Sequence, residues 1–438
     1  MPLRAPGRPS RWIGRVVDAR AGELPALFAG FALFFCLFAG YFMLRPIRET
    51  MGITAGVDKL QWLFTATFVT MLLAVPLFGA LSARVARRRL LPWVWLFFVA
   101  NLLAFAAGFA HDAGNVWQAR AFYVWLSVFN LFVVSLAWSL LADVFRPDQA
   151  KRLFAPMAAG ASLGGLVGPL LGAALVGRIG LAGLAVVSAG FLVATLGAIA
   201  LLLKWRARSG AGVDALADET ARPMSGGLLD GLALIARSPY LLAIAGFVVL
   251  LATTSTFLYF EQARLVAQHF PDRVAQTQVF SIIDAVVQGL TIAMQVFVTG
   301  RLAERYGVAV LLVAVPVVIA VGMGVLAMAP VFGVLVVVMV LRRVGEYALV
   351  RPGREMLFVA VDAPTKYKAK NVIDTAVYRG ADAISGWVKT GIDALGAGPA
   401  LVALAGAVVA LLWAAVGAWL GRESEASTKM QKAAEAHG

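Results

Sequence analysis

The chain has 438 residues, 61% of them hydrophobic and only 14% charged, with a formal net charge of +14. That balance excludes a soluble globular domain of this length and points to a multi-pass membrane protein. In such a chain the basic surplus serves topology and lipid contact, not nucleic-acid binding.

Residues 1–23 form a tail with Arg4, Arg8, Arg11, Arg15 and Arg20. The first apolar run is a full span, not a short run before a small-residue cleavage site, so no signal peptide is expected. Twelve apolar windows follow, each about 20 residues long, the length that about 30 Å of hydrocarbon requires. The first six are Leu24–Leu44, Leu60–Ser82, Leu90–Ala110, Ala121–Ala142, Leu153–Val176 and Leu181–Leu203. The second six are Tyr240–Phe260, Val279–Thr299, Val308–Met328, Val331–Val350, Val372–Asp393 and Pro399–Leu420. Backbone groups in lipid must be satisfied within their own segment, so each window is predicted as a helix. The chain thus divides into a tail (1–23), a six-helix bundle (24–204), a polar linker (205–237), a second six-helix bundle (238–421) and a charged tail (422–438). Leu228–Arg237, at the end of the linker, is predicted as a short amphipathic helix on the membrane surface. Arg84, Arg87, Arg88 and Arg89 follow span 2, and Arg146, Lys151 and Arg152 follow span 4. All fall on one side with the basic tail if both termini are cytoplasmic.

Cys36 is the sole cysteine, and His111, His269 and His437 lie apart from one another. No internal disulfide, metal site or cofactor is expected from these. No Gly-x-Ser-x-Gly, His-Glu-x-x-His or phosphate-cradling glycine loop occurs, so an enzyme is not expected.

The halves repeat one another. Gly79-Ala80-Leu81-Ser82-Ala83-Arg84 follows span 2, and Gly300-Arg301-Leu302-Ala303-Glu304-Arg305 follows span 8, 221 positions later. Asp143 and Asp362, and Ala150-Lys151 and Ala369-Lys370, match at an offset of 219. Arg45 and Glu261, and Arg48 and Arg264, correspond at 216. The loop motif resembles the Gly-x-Leu-x-Asp-Arg-x-Gly-Arg-Arg signature of the major facilitator superfamily, with Ala83 in place of the acidic residue and Ala86 in place of the glycine. The resemblance implies an all-α membrane fold of twelve helices in two pseudo-symmetric six-helix bundles that alternate access to a central solute site. Arg84, Glu304 and Arg305 would then gate the cytoplasmic side. In span 5, Gly164, Gly165, Gly168 and Gly172 make a small-residue face, which suits either close helix packing or the Gly-Pro motif of exchanger-type members.

Ionisable groups inside spans are costly and so are functional candidates. Span 10 and its inner end carry Arg342, Arg343, Glu346, Arg351, Arg354 and Glu355. Arg342 with Glu346, and Arg351 with Glu355, are spaced i,i+4 for pairing within the helix. Span 11 sets Asp374, Tyr378, Asp382, Ser385 and Lys389 on one face with Arg379 beside it, and span 8 does so with Asp284, Gln288, Thr291 and Gln295. Together with Arg45 and Arg48 this gives an arginine excess, and guanidinium forks suit carboxylate and phosphate. Two readings stand: a site for an anionic solute, or an internal salt-bridge network that gates two states. Asp284 and Asp374 are candidate proton carriers.

Three further segments carry a narrower resemblance. Arg45-Pro46-Ile47-Arg48-Glu49, Asp148-Gln149-Ala150-Lys151-Arg152-Leu153-Phe154 and Lys366-Tyr367-Lys368-Ala369-Lys370-Asn371-Val372-Ile373-Asp374 are similar to segments of the ATP/ADP translocases of plastids and intracellular bacteria. The resemblance implies transport roles for Arg45, which stands where the family has lysine, for Lys370 or its neighbour Lys368, and for Glu261. The family's acidic residue within span 4 has no counterpart in Trp117–Leu141.

The expected protein is a secondary active transporter of an anionic, phosphorylated or nucleotide-like solute in a bacterial inner (plasma) membrane, acting as a monomer. Arg45, Arg48, Glu261, Arg343, Glu346, Arg354, Lys370 and Arg379 are its expected solute-binding residues, with Glu261 paired to Arg45 or Arg48. Asp284, Asp374, Asp382, Arg84, Glu304 and Arg305 are its expected coupling or gating residues. A proton-coupled exporter of drugs or organic cations and a non-transporting scaffold or receptor are the alternatives.

Overall fold

A computed structural model describes residues 19–84, 87–208, 228–396 and 398–437, and every regular element among them is helical. In chain order the α-helices are α1 (Leu24–Thr54), α2 (Leu60–Arg84), α3 (Arg87–Asp112), α4 (Val116–Val144), α5 (Pro147–Arg208), α6 (Leu228–Arg237), α7 (Pro239–His269), α8 (Arg273–Met294), α9 (Gly300–Met328), α10 (Phe332–Gly345), α11 (Arg351–Leu357), α12 (Ala363–Val372), α13 (Tyr378–Ala394) and α14 (Pro399–His437).

Eight helical runs among the described residues are long and apolar enough to cross a bilayer. Two of these hold two predicted spans each. Pro147–Arg208 turns at Gly180 (φ 62°), and Arg273–Met328 turns at Gly307 (φ 76°). Both glycines sit in backbone conformations that side chains with a Cβ resist, and each breaks a helical run where a loop is needed. Predicted spans 10 and 11 are segmented and charged, and they fall outside the eight runs. The amphipathic helix expected at Leu228–Arg237 is α6, packed with Gly231 against Val372 and the Lys368 carbonyl. Most of the expected linker, residues 209–227, lies outside the described residues.

The helical contacts group the chain into two compact units. The first comprises Met1–Ile47, Leu77–Ala113 and Leu126–Pro223. Within it, Gly160, Gly164 and Gly168 of α5 lie so near Phe31, Phe35 and Ala39 of α1 that a Cβ at any of them would collide with the α1 backbone. The i,i+4 glycine spacing thus builds a groove for α1. Ser188 on the later part of α5 donates to the Gly40 carbonyl at 2.6 Å and so pins the same helix. The second unit comprises Arg48–Pro76, Gly114–Trp125 and Met224–Gly438. Its apolar core runs through α7, α9, α10 and α14, with Phe247, Ile319, Leu335 and Trp413 fully or almost fully buried.

Three π-helical segments interrupt the second unit's helices, at Gln295–Thr299, Glu346–Val350 and Ile373–Val377. They fall on or beside the three spans whose sequence carries the charged and polar stripes. A π segment widens the turn by one residue and frees backbone carbonyls, and such segments concentrate at functional sites.

Candidate functional site

The end of α1 and the start of α4 bring the first group together. Arg48 stacks on the Tyr123 ring with its guanidinium carbon 3.8 Å from the centroid, and its Nε donates to the Tyr123 carbonyl at 3.3 Å. Its Nη1 pairs with neighbouring Glu49 at 3.2 Å. The Tyr123 hydroxyl donates to Tyr259 on α7 at 3.1 Å. Nearby, the Thr50 and Thr277 hydroxyls are 2.8 Å apart, and Trp387 on α13 donates to Thr65 at 3.0 Å.

A cavity of about 10 Å³, room for one water molecule, lies beside this group. Arg48, Phe64, Thr67, Tyr123, Arg379 and Asp382 line it. Asp382 is buried and accepts from Thr256 at 3.2 Å, while Arg379 stands 3.6 Å from it.

The second group is built on α10 and its π segment. Glu346 is buried and holds two arginines. Arg342 reaches it at 2.8 Å and also donates to Ser255, and Arg351 reaches it at 3.2 Å. Here the structure departs from the i,i+4 expectation. Arg351 does not take Glu355 but turns back five residues to Glu346, because the π segment Glu346–Val350 brings i and i+5 onto one face. Glu355 pairs instead with Lys370 at 2.6 Å. Arg343 on α10 pairs with Asp284 on α8 at 2.6 Å, their side chains 6% and 5% exposed. The Arg343 Nε and Nη2 donors are buried and have no hydrogen-bond partner among the described residues. Arg354 meets Asp374 at 2.8 Å.

The two π segments also touch. Gln295 donates to the Tyr347 carbonyl at 3.2 Å, and Thr299 donates to the Ala348 carbonyl at 2.9 Å. The carbonyls released by one π segment are therefore taken up by side chains of the other.

Other expected site residues do not line the cavity beside Arg48. Arg45 belongs to the first unit, with its guanidinium 5.8 Å from the Phe42 ring. Glu261 pairs with Arg264, three residues on in α7, where Arg45 or Arg48 was expected. Glu304 and Arg305 are exposed in α9, and Arg305 lies 5.3 Å from the Tyr306 ring. Arg84 ends α2, and its side chain lies outside the described residues. Thr67 carried no signal in the sequence, because one hydroxyl in an apolar run means nothing until the fold sets its residue on a cavity wall.

The described residues form long apolar helices with ion pairs buried among them, and charge in such a setting marks functional positions of a multi-pass membrane protein. The chain belongs to the Major Facilitator Superfamily, whose family model matches residues 26–350. No curated protein matches its sequence. Solved structures with a similar fold include a bacterial homologue of the iron transporter ferroportin in an inward-facing state. It has a TM-score of 0.63 and 13% identity, with 90% of this chain and 98% of that chain covered. The nucleoside transporter NupG has a TM-score of 0.59 at 14% identity, covering 94% and 100%. The human organic anion transporter MFSD10 has a TM-score of 0.55 at 18% identity, covering 91% and 100%. At these identities the likeness establishes the fold alone.

Proposed function

We propose that the chain carries an anionic, phosphorylated or nucleotide-like solute across the membrane by alternating access, as an exchanger of the ATP/ADP type. The observation that carries this reading is the sharing of Glu346 by Arg342 and Arg351, which leaves one uncompensated positive charge at the α10 π segment. The Arg351 side chain is 56% exposed and lies over the Tyr347 ring, 4.5 Å from its centroid, so the surplus charge is not sealed within the helix packing. Guanidinium is the side chain best matched to phosphate and carboxylate oxygens. The remaining pairs, Arg343 with Asp284, Arg354 with Asp374 and Lys370 with Glu355, suit a gating network that an incoming anion rearranges. On this reading the two sequence-level possibilities merge: the arginines are held by acids at rest, and a solute anion competes for them.

The solutes named for proteins of similar fold differ widely, so the charge of this site weighs more than the fold. We place both termini in the cytoplasm of a bacterial inner membrane on the distribution of basic loops, with residues 24–204 and 238–421 as the two moving bundles of a monomer.

The test is uptake of labelled ATP into proteoliposomes with and without ADP trapped inside. Uptake that depends on internal ADP supports nucleotide exchange. Absence of uptake with correctly inserted protein overturns the nucleotide reading and directs a competition screen to other phosphorylated anions.

A further inference from the structure

Two residues that line the water-sized cavity beside Arg48 carry donors for which no described residue serves as hydrogen-bond acceptor. The Thr67 hydroxyl is buried, Thr67 being only 3% exposed, and has no hydrogen-bond partner among the described residues. A buried donor of this kind costs free energy unless something accepts from it. Across the cavity, the Arg379 guanidinium donates no hydrogen bond to any described residue. It stands 3.6 Å from Asp382, outside hydrogen-bond range, and its guanidinium carbon lies over the Tyr378 ring, 5.9 Å from the centroid. Its side chain is 32% exposed. Every other arginine or lysine of the candidate site in this unit has a carboxylate at 3.2 Å or closer.

From this we infer that the cavity is an oxyanion subsite. One oxygen of a phosphate or carboxylate group on the solute occupies it, accepting from the Arg379 fork and the Thr67 hydroxyl, with the Arg48 charge behind. The inference rests on the reading of the solute as an anion and adds a place and a donor set to it. Asp382 is the competitor. It holds Arg379 loosely when the subsite is empty, and its own acceptor contact with Thr256 keeps it in place when Arg379 turns to the solute. The loose pair makes exchange between internal and solute carboxylate or phosphate inexpensive, whereas the tight Arg343–Asp284 pair cannot release its arginine so readily.

The test is calorimetric titration of the full-length protein in nanodiscs with inorganic phosphate and, separately, with acetate, at constant ionic strength. Phosphate or acetate binding to the unaltered protein is expected. Arg379→Gln should weaken it about 10- to 100-fold, the loss of a charge-assisted hydrogen bond. Thr67→Val, which keeps the shape and removes the hydroxyl, should weaken it about 2- to 10-fold. Asp382→Asn keeps an acceptor for Thr256 and removes the competing charge, so it should tighten binding, a gain that a purely structural aspartate would not produce. Arg379→Lys provides a folded comparison in which the charge remains and the fork is lost, and it should bind more weakly than the unaltered protein.

Equal affinity in the unaltered protein, Arg379→Gln and Thr67→Val overturns the subsite, as does weaker binding in Asp382→Asn or no binding of either anion. The two readings fail separately. Arg379-dependent phosphate binding without ATP/ADP exchange removes the nucleotide and keeps the subsite. Exchange that is unchanged in Arg379→Gln and Thr67→Val keeps the nucleotide and removes the subsite.

Discussion

Glu23 shows how one carboxylate can anchor a helix entrance. It is 5% exposed in the turn before α1, and Arg152 on α5 clasps both of its oxygens, at 3.1 and 3.2 Å. Gln149 donates at 3.1 Å, and the Arg20 backbone amide donates at 3.0 Å. Burial by itself raises the acid's pKa, but these hydrogen bonds and the Arg152 charge outweigh it and hold the group below its ordinary range. A depressed folded-state pKa stabilises the fold above the unfolded value and loses that contribution as pH falls through the folded one. Thermal unfolding followed from pH 7 down to pH 3 should therefore show a destabilisation that Glu23→Gln flattens, with the variant less stable at neutral pH by about 1.5–3 kcal/mol. Parallel pH profiles in the two proteins would remove this role. Arg343 and Asp284 pose the opposite case, since their pair is buried among apolar side chains and incompletely hydrogen-bonded. Either single alanine variant strands a buried charge and should cost about 3–5 kcal/mol, while the double variant should recover much of that stability but not transport. Additive losses in the double variant would show that the two residues do not act as a pair.

At the scale of elements, the π segments explain why the charged residues were legible as a set but not as partners. Residues such as Arg343, Glu346 and Asp374 stand out because charge inside an apolar run is rare, and that signal needs no structure. Their pairing depends on helical phase. A regular helix would set Arg351 beside Glu355, yet the extra residue in Glu346–Val350 shifts the phase and returns Arg351 to Glu346. Nothing in the residues Glu346-Tyr347-Ala348-Leu349-Val350 announces a π turn, because the facing side chains that stabilise it, Gln295 and Thr299, lie about fifty positions earlier. The prediction at this scale concerns that reciprocal contact. Thr299→Val keeps the volume and removes the donor to the Ala348 carbonyl, so it should lower stability by about 1 kcal/mol. If the segment sets the phase of the arginines, the same change should also reduce solute uptake more than the stability loss alone accounts for. A Thr299→Val protein with unchanged melting temperature and unchanged uptake would show that the latch does not matter.

At the scale of the molecule, the apolar windows of spans 1–9 and 12 coincide with long apolar helical runs because bilayer thickness dictates their length, while the charged and segmented spans 10 and 11 do not. The compact units were not legible, since they depend on contacts between distant segments. Arg48–Pro76 and Gly114–Trp125 come from the first half of the chain yet belong to the unit formed by Met224–Gly438. The attachment is specific: Thr50 meets Thr277, Tyr123 meets Tyr259, and Thr65 receives the Trp387 indole N–H. Polar contacts of this size, about 1 kcal/mol each, are strong enough to close a passage and weak enough to open during a transport cycle. If the two bundles proposed above move against one another, contacts joining them must break once per cycle. The Thr50 and Thr277 hydroxyls are 2.8 Å apart, close enough for cysteines placed there to be tested for disulfide formation. Cys36 is the only native thiol, so replacing it with serine gives a clean background. In that background, oxidised Thr50→Cys/Thr277→Cys protein should lose solute exchange in proteoliposomes, and a reductant should restore it. Full exchange by the cross-linked protein would mean that this attachment stays closed throughout the cycle and that the solute passes by another opening.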